Sequence, residues 1–500
     1  MVSISAYKQL EKCFGQLQAL REASGVLHWD AATMMPKSSA SAAARGEQIA
    51  ALDELCHNIL NSNRTSDLLD DAENQNNLNN WQTANLREMR HLWTHSSAVS
   101  GNLVAALSIA STKCEVKWRS ARTESDYEGI KPFLSEVLKL IKESAIAKSE
   151  VLGCSPYEAL MDQYTPGLRQ TTINPIFSDL EEFLPDFLNA VLEKQALVKL
   201  PIIPRGPFPL SQQRSIGHSL METLGFNFNQ GRLDISLHPF SGGTPDDLRI
   251  TTRYNENDFM TGLMGILHET GHALYEKNLP KEWRRQPVGE ARGMDIHESQ
   301  SLLIEMQVCR SKEFLSYAIP LIKKTFNKEG PEWEVNNFYQ IYTAVKPGTI
   351  RVDADEVTYP AHIILRYNIE RALIEEKMTL NDLPNAWNDG MAELLGLRPL
   401  NHENGCMQDI HWFDGAWGYF PSYSLGAMAA AQFFESAVKS DSNILPAIRH
   451  GNFEPLYIWL IENIYKFGSL YETPELIKRA TGKQLDPTIF KRHLTRRYLS

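Results

Sequence analysis

The sequence predicts a mainly α-helical protein with one small β-sheet. Three observations predict it. Apolar residues recur at three- and four-residue spacing through most of the chain. A proline-dense run over 200–209 breaks the helical pattern and cannot itself be helix. Just after it, β-branched and alternating residues suggest short strands at 232–237 and 248–254, joined by a Gly/Pro loop.

The elements follow in order. Over 4–62, Leu10, Phe14, Leu17, Leu20 and Leu27 keep helical spacing. The run from His28 to Pro36 interrupts that pattern, with a turn at Pro36, and a second helix resumes over 42–60. Trp29, Met34 and Met35 are expected to pack in the core. Further helices are expected at 86–93, 103–118 and 133–147, after an Asn-rich loop at 74–80. Tyr164-Thr165-Pro166-Gly167 signals a turn, and 173–199 reads as an amphipathic helix. A helix at 211–224 precedes the strands. Helices dominate 256–395, broken at Pro280, Pro287, Pro331, Pro347 and Pro360. The chain is loop-rich from Asn401 to Tyr423, helical through Glu435, and helical again over 443–500.

Composition bounds the function. The chain has 500 residues and ordinary apolar and charged fractions for a globular protein. A net charge of −11 argues against nucleic acid or an anionic membrane as the main partner. The six cysteines, Cys13, Cys56, Cys114, Cys154, Cys309 and Cys406, form no Cys-x-x-Cys pair and no disulfide framework. No signal peptide or apolar membrane span is read. A reduced, cytoplasmic setting is expected. With no internal repeat, low-complexity tract or clear linker, one domain over 1–500 is the simplest reading.

The chemistry centres on His268-Glu269-Thr270-Gly271-His272. Two histidines four apart on a helix lie one turn apart on one face, so both imidazoles can reach one metal ion. Glu269 can take a proton from a metal-activated water. The flanking Leu263, Met264, Ile266 and Leu267 make the helix apolar enough for burial. A bland alternative is a buried helix whose histidines bond within the core. A catalytic zinc takes three protein ligands and keeps one open position. Glu298, in His297-Glu298-Ser299-Gln300-Ser301, can be the third, returned by a second helix after a turn over 280–293.

With these residues in place, the sequence resembles the M32 family of metallocarboxypeptidases, the carboxypeptidase Taq type, over nearly its whole length. His238-Pro239-Phe240 resembles the family's HPF element, and Asp247–Thr251 its DxRxT element. His268–His272 is the HExxH, and His297-Glu298-Ser299-Gln300 resembles the HES element. The run from Ile350 to Asp355 resembles IRxxAD, and that from Gly405 to Trp412 resembles GxxQDxHW. Trp29-Asp30, Thr33-Met34-Met35-Pro36 and the stretch Gly418 to Tyr423 also match. The resemblance implies a helical, saddle-like subunit with a deep groove, usually a homodimer. It implies release of C-terminal amino acids with broad specificity, using zinc or cobalt. Within it, 1–200 is a helical N-terminal portion, 201–430 the catalytic portion and 431–500 a set of C-terminal helices.

Expected roles follow. His268, His272 and Glu298 hold the metal, and Glu269 is the general base. An exopeptidase must recognise a free α-carboxylate, and arginine's planar fork suits that task. Arg249 and Arg351 are the favoured candidates, both expected at the closed end of the groove, with Arg253 weaker. Asp247, Asp353 and Asp355 are orienting or structural partners. His238 and His411 are candidates for binding or oxyanion support, the tautomer of His411 being open to fixing by hydrogen bonding between Asp409 and Trp412. Tyr423 can donate to the substrate carboxylate or to the tetrahedral intermediate. Two other readings remain: an endopeptidase of the same zinc class, and a noncatalytic peptide-binding protein whose metal staples helices.

Overall fold

A computed structural model describes residues 5–236 and 238–500. Ile4 and Leu237, which the sequence pattern places at element ends, lie outside the described residues. Among the described residues, nine helices come first: α1 (Ala6–Thr33), α2 (Ser39–Leu60), α3 (Asn63–Glu73), α4 (Asn80–Ser97), α5 (Gly101–Thr123), α6 (Tyr127–Leu152), α7 (Pro156–Asp162), α8 (Gln170–Ala196) and α9 (Leu210–Leu224). Strands β1 (Gly231–Ile235), β2 (Ser241–Thr244) and β3 (Asp247–Thr252) follow. Next come α10 (Phe259–Lys277), α11 (Gly293–Leu302), α12 (Lys312–Phe326), α13 (Val335–Tyr342), α14 (Tyr359–Ile374) and α15 (Leu383–Leu395). The chain closes with α16 (His411–Asp414), α17 (Pro421–Ser440), α18 (Ile444–Arg449), α19 (Glu454–Asn463), α20 (Thr473–Thr481) and α21 (Pro487–Leu494).

The mainly α class with one small sheet is therefore observed, with two differences in detail. First, the Gly/Pro loop between the expected strands contains a strand of its own. The sheet order is β1-β3-β2, with β1 parallel to β3 and β2 antiparallel to it. Gly242 and Gly243 hide β2 from propensity reasoning, because glycine weakens strand patterns. Gly243 is needed: its φ is +89°, and a Cβ there would lie 2.0 Å from the Asp247 carbonyl across the tight turn. Second, α1 runs unbroken through His28 to Thr33. The polar residues that interrupt the pattern are satisfied within the helix and across to α2. His28 Nδ1 lies 3.0 Å from the Ser24 carbonyl, and Arg45 Nη1 pairs with Asp30 at 2.5 Å.

Trp29 is buried as expected, clasped by the Arg232 and Arg249 guanidiniums at 4.9 and 4.7 Å from its ring centroid. Met34 is not core; it is 54% exposed, because the helix ends there and turns toward Pro36.

Helix α17 is the spine. Leu425, Met428 and Ala431 face the core built from α5–α8 and α14–α16, while Ala429, Ala430, Phe433, Phe434 and Ala437 face the core built from α9–α13 and α18–α20. A helix apolar on opposite sides must be buried between layers. A third core joins α1 to α4 through Leu10, Phe14, Leu69 and Met89. A fourth packs Leu233, Leu248 and Ile250 of the sheet on Ile266 and Ala273 of α10. Among the described residues, no helix is long and apolar enough to cross a membrane. All six cysteines are free thiols.

Candidate metal centre

Helix α10 begins where the Asp258 side chain accepts from the Met260 and Thr261 amides. It is buried on most sides, between the sheet and the core of α9, α11 and α12. Its approach to α11 depends on Gly271. A Cβ there would lie 2.6 Å from the Gln300 carbonyl oxygen and 2.7 Å from the Ser301 Cα. On the far side of α11, Gly426 of α17 plays the same part, since a Cβ there would lie 3.0 Å from the Glu298 Cβ. These two glycines let three helices close on Glu298.

The result is one focal point. His268 Nε2 and His272 Nε2 stand 3.9 and 3.4 Å from the same Glu298 oxygen. Both distances exceed the usual N–H···O range of 2.7–3.2 Å. The shorter matches, and the longer somewhat exceeds, the separation of about 3.3 Å between ligands that each hold a tetrahedral ion at about 2.0–2.1 Å. Two imidazoles and one carboxylate suit a borderline divalent ion. The donors therefore fit a catalytic metal in type, number and spacing.

Electrostatics match this arrangement. Burial opposes charge on Glu298, but the two histidines outweigh it and hold the carboxyl at about 2. Burial also opposes charge on His268, yet Glu298 and Glu305 lift it to about 10. Burial, helped by His297, pushes His272 down to about 4. A metal ion held by His268, His272 and Glu298 would take the place of the His268 proton. Glu269, 8% exposed, is raised by burial and by Glu298, and lowered by His268.

Supporting residues complete the centre. Glu305 accepts from His268 Nδ1 at 2.9 Å and is itself held by Arg310 at 2.5 Å. A carboxylate behind a ligating imidazole fixes its tautomer and orientation. Glu305 sits in a π-helical segment, Leu303–Cys309, that continues α11. Glu305 stands outside the motifs legible in the sequence, although it follows Glu298 by about two helical turns. His297 stacks on His272 at 4.4 Å and bonds Glu276 at 3.0 Å.

Around this centre the other expected residues separate into two groups. Arg351, His411 and Tyr423 come together. Tyr423 Oη and His411 Nε2 are 3.4 Å apart, and the Arg351 guanidinium lies 5.1 Å from the Tyr423 ring centroid. Tyr359 joins them, its hydroxyl accepting from Arg351 Nη1 at 2.9 Å. Burial, and less strongly the Glu298 carboxylate, raise the Tyr359 and Tyr423 phenols, so this group lies within electrostatic reach of Glu298. Asp409 gives both carboxylate oxygens to Arg351, each at 2.7 Å. It stands 3.5 Å from His411 Nδ1, so its main partner is arginine and not the histidine it was expected to orient.

Arg249 and His238 belong to the sheet side. Arg249 pairs with Asp247 at 2.6 Å and packs on Trp29. It stands opposite Gly242 in the β2–β3 register, while Ser241, the preceding residue of β2, faces Glu269. His238 is exposed between β1 and β2. The next residue, Pro239, packs 3.8 Å from the Cβ position of Gly265, one turn before His268. Arg253 is exposed. Asp355 accepts from the Val357, Thr358 and Lys346 amides, a structural role.

Comparison with known proteins agrees with this geometry. The model of the carboxypeptidase Taq (M32) metallopeptidase family matches residues 9–498. The chain is 35% identical to thermostable carboxypeptidase 1 of Thermus thermophilus, over 100% of this chain and 99% of that one. It superimposes on metallocarboxypeptidase 1 of Trypanosoma cruzi with a TM-score of 0.97 at 39% identity, covering 99% of each chain. For the Pyrococcus furiosus carboxypeptidase structure the TM-score is 0.94 at 31% identity, again over 99% of each chain. A metal-spaced donor trio shared between a buried HExxH helix and its neighbour α11, in a fold shared end to end with these enzymes, makes the chain a member of the M32 family of metallocarboxypeptidases, hydrolases of peptide bonds.

Proposed function

We propose that the protein removes C-terminal amino acids from peptides with broad specificity, using zinc, with cobalt as an alternative. The carrying observation is the adjacency of two devices: the His268, His272 and Glu298 trio with buried Glu269 beside it, and Arg351 reached from Glu298 through tyrosines. When bound, a divalent ion supplies a Lewis acid for the scissile carbonyl and acidifies water. His268, His272 and Glu298 hold it, and Glu305 fixes His268.

Glu269 takes a proton from the attacking water and delivers it to the leaving amine. Its burial keeps the carboxylate basic enough for that transfer. The Tyr423 phenol stays protonated at neutral pH, because burial and Tyr419 raise it, and so can donate to the developing oxyanion. His411 supports it at 3.4 Å. Arg351 receives the substrate's α-carboxylate. The β2 edge beside Glu269 offers backbone groups to an extended peptide, with Arg249 and His238 at that rim. A homodimer and a cytoplasmic setting complete the reading; the free thiols suit a reducing compartment.

The test compares one peptide as its free acid and as its C-terminal amide, with zinc-loaded enzyme. Cleavage of the acid, with the amide at least about a hundredfold slower, is expected from the loss of a charged hydrogen-bonding partner. Equal cleavage would overturn the carboxypeptidase reading in favour of an endopeptidase.

A further inference from the structure

Behind Arg351 lies a charge arrangement that carries more than packing. Asp409 occupies two of the five N–H donors of Arg351, at Nε and Nη2, and Tyr359 occupies a third at Nη1. Two donors remain, one on each terminal nitrogen, which together form a second paired edge. The same Asp409 carboxylate also accepts from Arg366 Nε at 2.9 Å. The Arg366 side chain is 0% exposed, lies against the Trp387 and Phe420 rings and donates to the His362 carbonyl. Its guanidinium is thus held by a carboxylate, a backbone carbonyl and two aromatic rings.

The charges do not cancel. Two buried guanidiniums share one carboxylate, which leaves the cluster itself one positive charge in excess. Glu370, one turn along α14, also feels Arg366, but burial pushes it up to about 7 and its oxygens are taken up by Tyr157, Trp412 and the Gly418 amide. The adjacent His362 adds nothing, since burial and Arg366 push it down to about 3. Glu298, whose field reaches Tyr359, is committed to His268 and His272. A buried charge without a counterion is unfavourable, and an entering carboxylate removes that penalty where an amide cannot.

We infer that Asp409 and Arg366 are positioning residues for substrate recognition, Asp409 aiming the free edge of Arg351 and Arg366 keeping the cluster one positive charge in excess for a carboxylate to neutralise. The inference rests on Arg351 as the carboxylate anchor. It gives the two residues different kinetic signatures. Loss of Arg366 weakens carboxylate binding, while loss of Asp409 leaves the attraction but lets Arg351 wander, so the scissile bond is misplaced.

The experiment measures kcat and KM of zinc-loaded enzyme on a free-acid peptide, with zinc content and Tm as controls. Arg366→Gln should raise KM at least about tenfold with kcat within about threefold, and Arg366→Lys should recover most of the loss. Asp409→Asn, which keeps shape and one acceptor, should lower kcat at least about tenfold with KM changed by less than about threefold. Equal impairment by Arg366→Gln and Arg366→Lys would mark a purely structural role and overturn the charge argument. Wild-type kinetics in either Arg366→Gln or Asp409→Asn would do the same. If Arg366→Gln does not fold, Asp409→Asn alone decides. Arg351→Met separates the two levels: wild-type KM in that variant refutes the anchor itself. A raised KM there, beside an unchanged Arg366→Gln, refutes only the inference drawn from Arg366.

Discussion

Helices α4 and α10 each present two histidines, four residues apart, to a carboxylate from another helix. His91 and His95 face Asp162, and His268 and His272 face Glu298. By donor type the two clusters are the same, yet their geometry differs. Asp162 Oδ2 lies 2.7 and 2.9 Å from the two imidazole nitrogens, which is hydrogen-bond contact. Its other oxygen is clamped by Arg169 at 2.8 Å and by the Gly167 amide at 3.0 Å. Glu298 stands farther from its histidines, and among the described residues they are its ion-pair partners. The residue after the first histidine is Leu92 in one case and Glu269 in the other. Donor identity therefore does not make a metal site. A gap the size of an ion, a carboxylate without a competing cation and a neighbouring base do.

Substitutions in the two clusters should break or sharpen this contrast. The largest effect belongs to the histidines. His268→Ala or His272→Ala should remove both bound metal and turnover, whereas His91→Ala or His95→Ala should leave kcat/KM within about threefold. Glu269→Gln should lower kcat by about 10²–10⁴ while the protein still binds metal, as measured by single-substrate kinetics with metal analysis. A variant that stayed active would remove Glu269 from the chemistry.

Asp162→Asn should act on stability, by about 3 kcal/mol in denaturant unfolding at neutral pH, because it breaks a buried ionic cluster. The sign with pH follows from its carboxyl, which burial would raise but His91, His95 and Arg169 hold well below the usual range. A depressed folded pKa adds stability above the unfolded value of about 3.9, and that stability is lost as pH falls through the folded pKa. Wild type and variant should therefore converge as pH falls from about 4. A constant difference would point to packing instead. The smallest effect is expected at Glu305→Gln, which should weaken metal affinity about 10–100-fold in a competition titration with a chelator.

The sequence exposes the HExxH helix well, because an i,i+4 histidine pair depends only on helical periodicity. Glu298 is also readable, as one carboxylate on the next helix. Glu305 is harder to see, since a π-helical segment, which no local pattern announces, carries it to the back of His268. The sheet is half visible: β1 and β3 show β-branched residues, but half of β2 is glycine. The expectation that Arg249 and Arg351 stand together comes from their places in the DxRxT-like and IRxxAD-like elements. Their different environments, Trp29 and Asp247 against Asp409, Tyr359 and Tyr423, arise from contacts far apart in sequence. Asp409 is in plain view beside His411, and only the fold reveals that its partners are Arg351 and Arg366.

The most direct test of the contrast is metal stoichiometry by inductively coupled plasma mass spectrometry on the full chain, with His95→Ala and His272→Ala measured alongside. A single divalent ion per chain, kept in His95→Ala and lost in His272→Ala, is the predicted result. Two ions per chain, or loss of metal in His95→Ala, would contradict it.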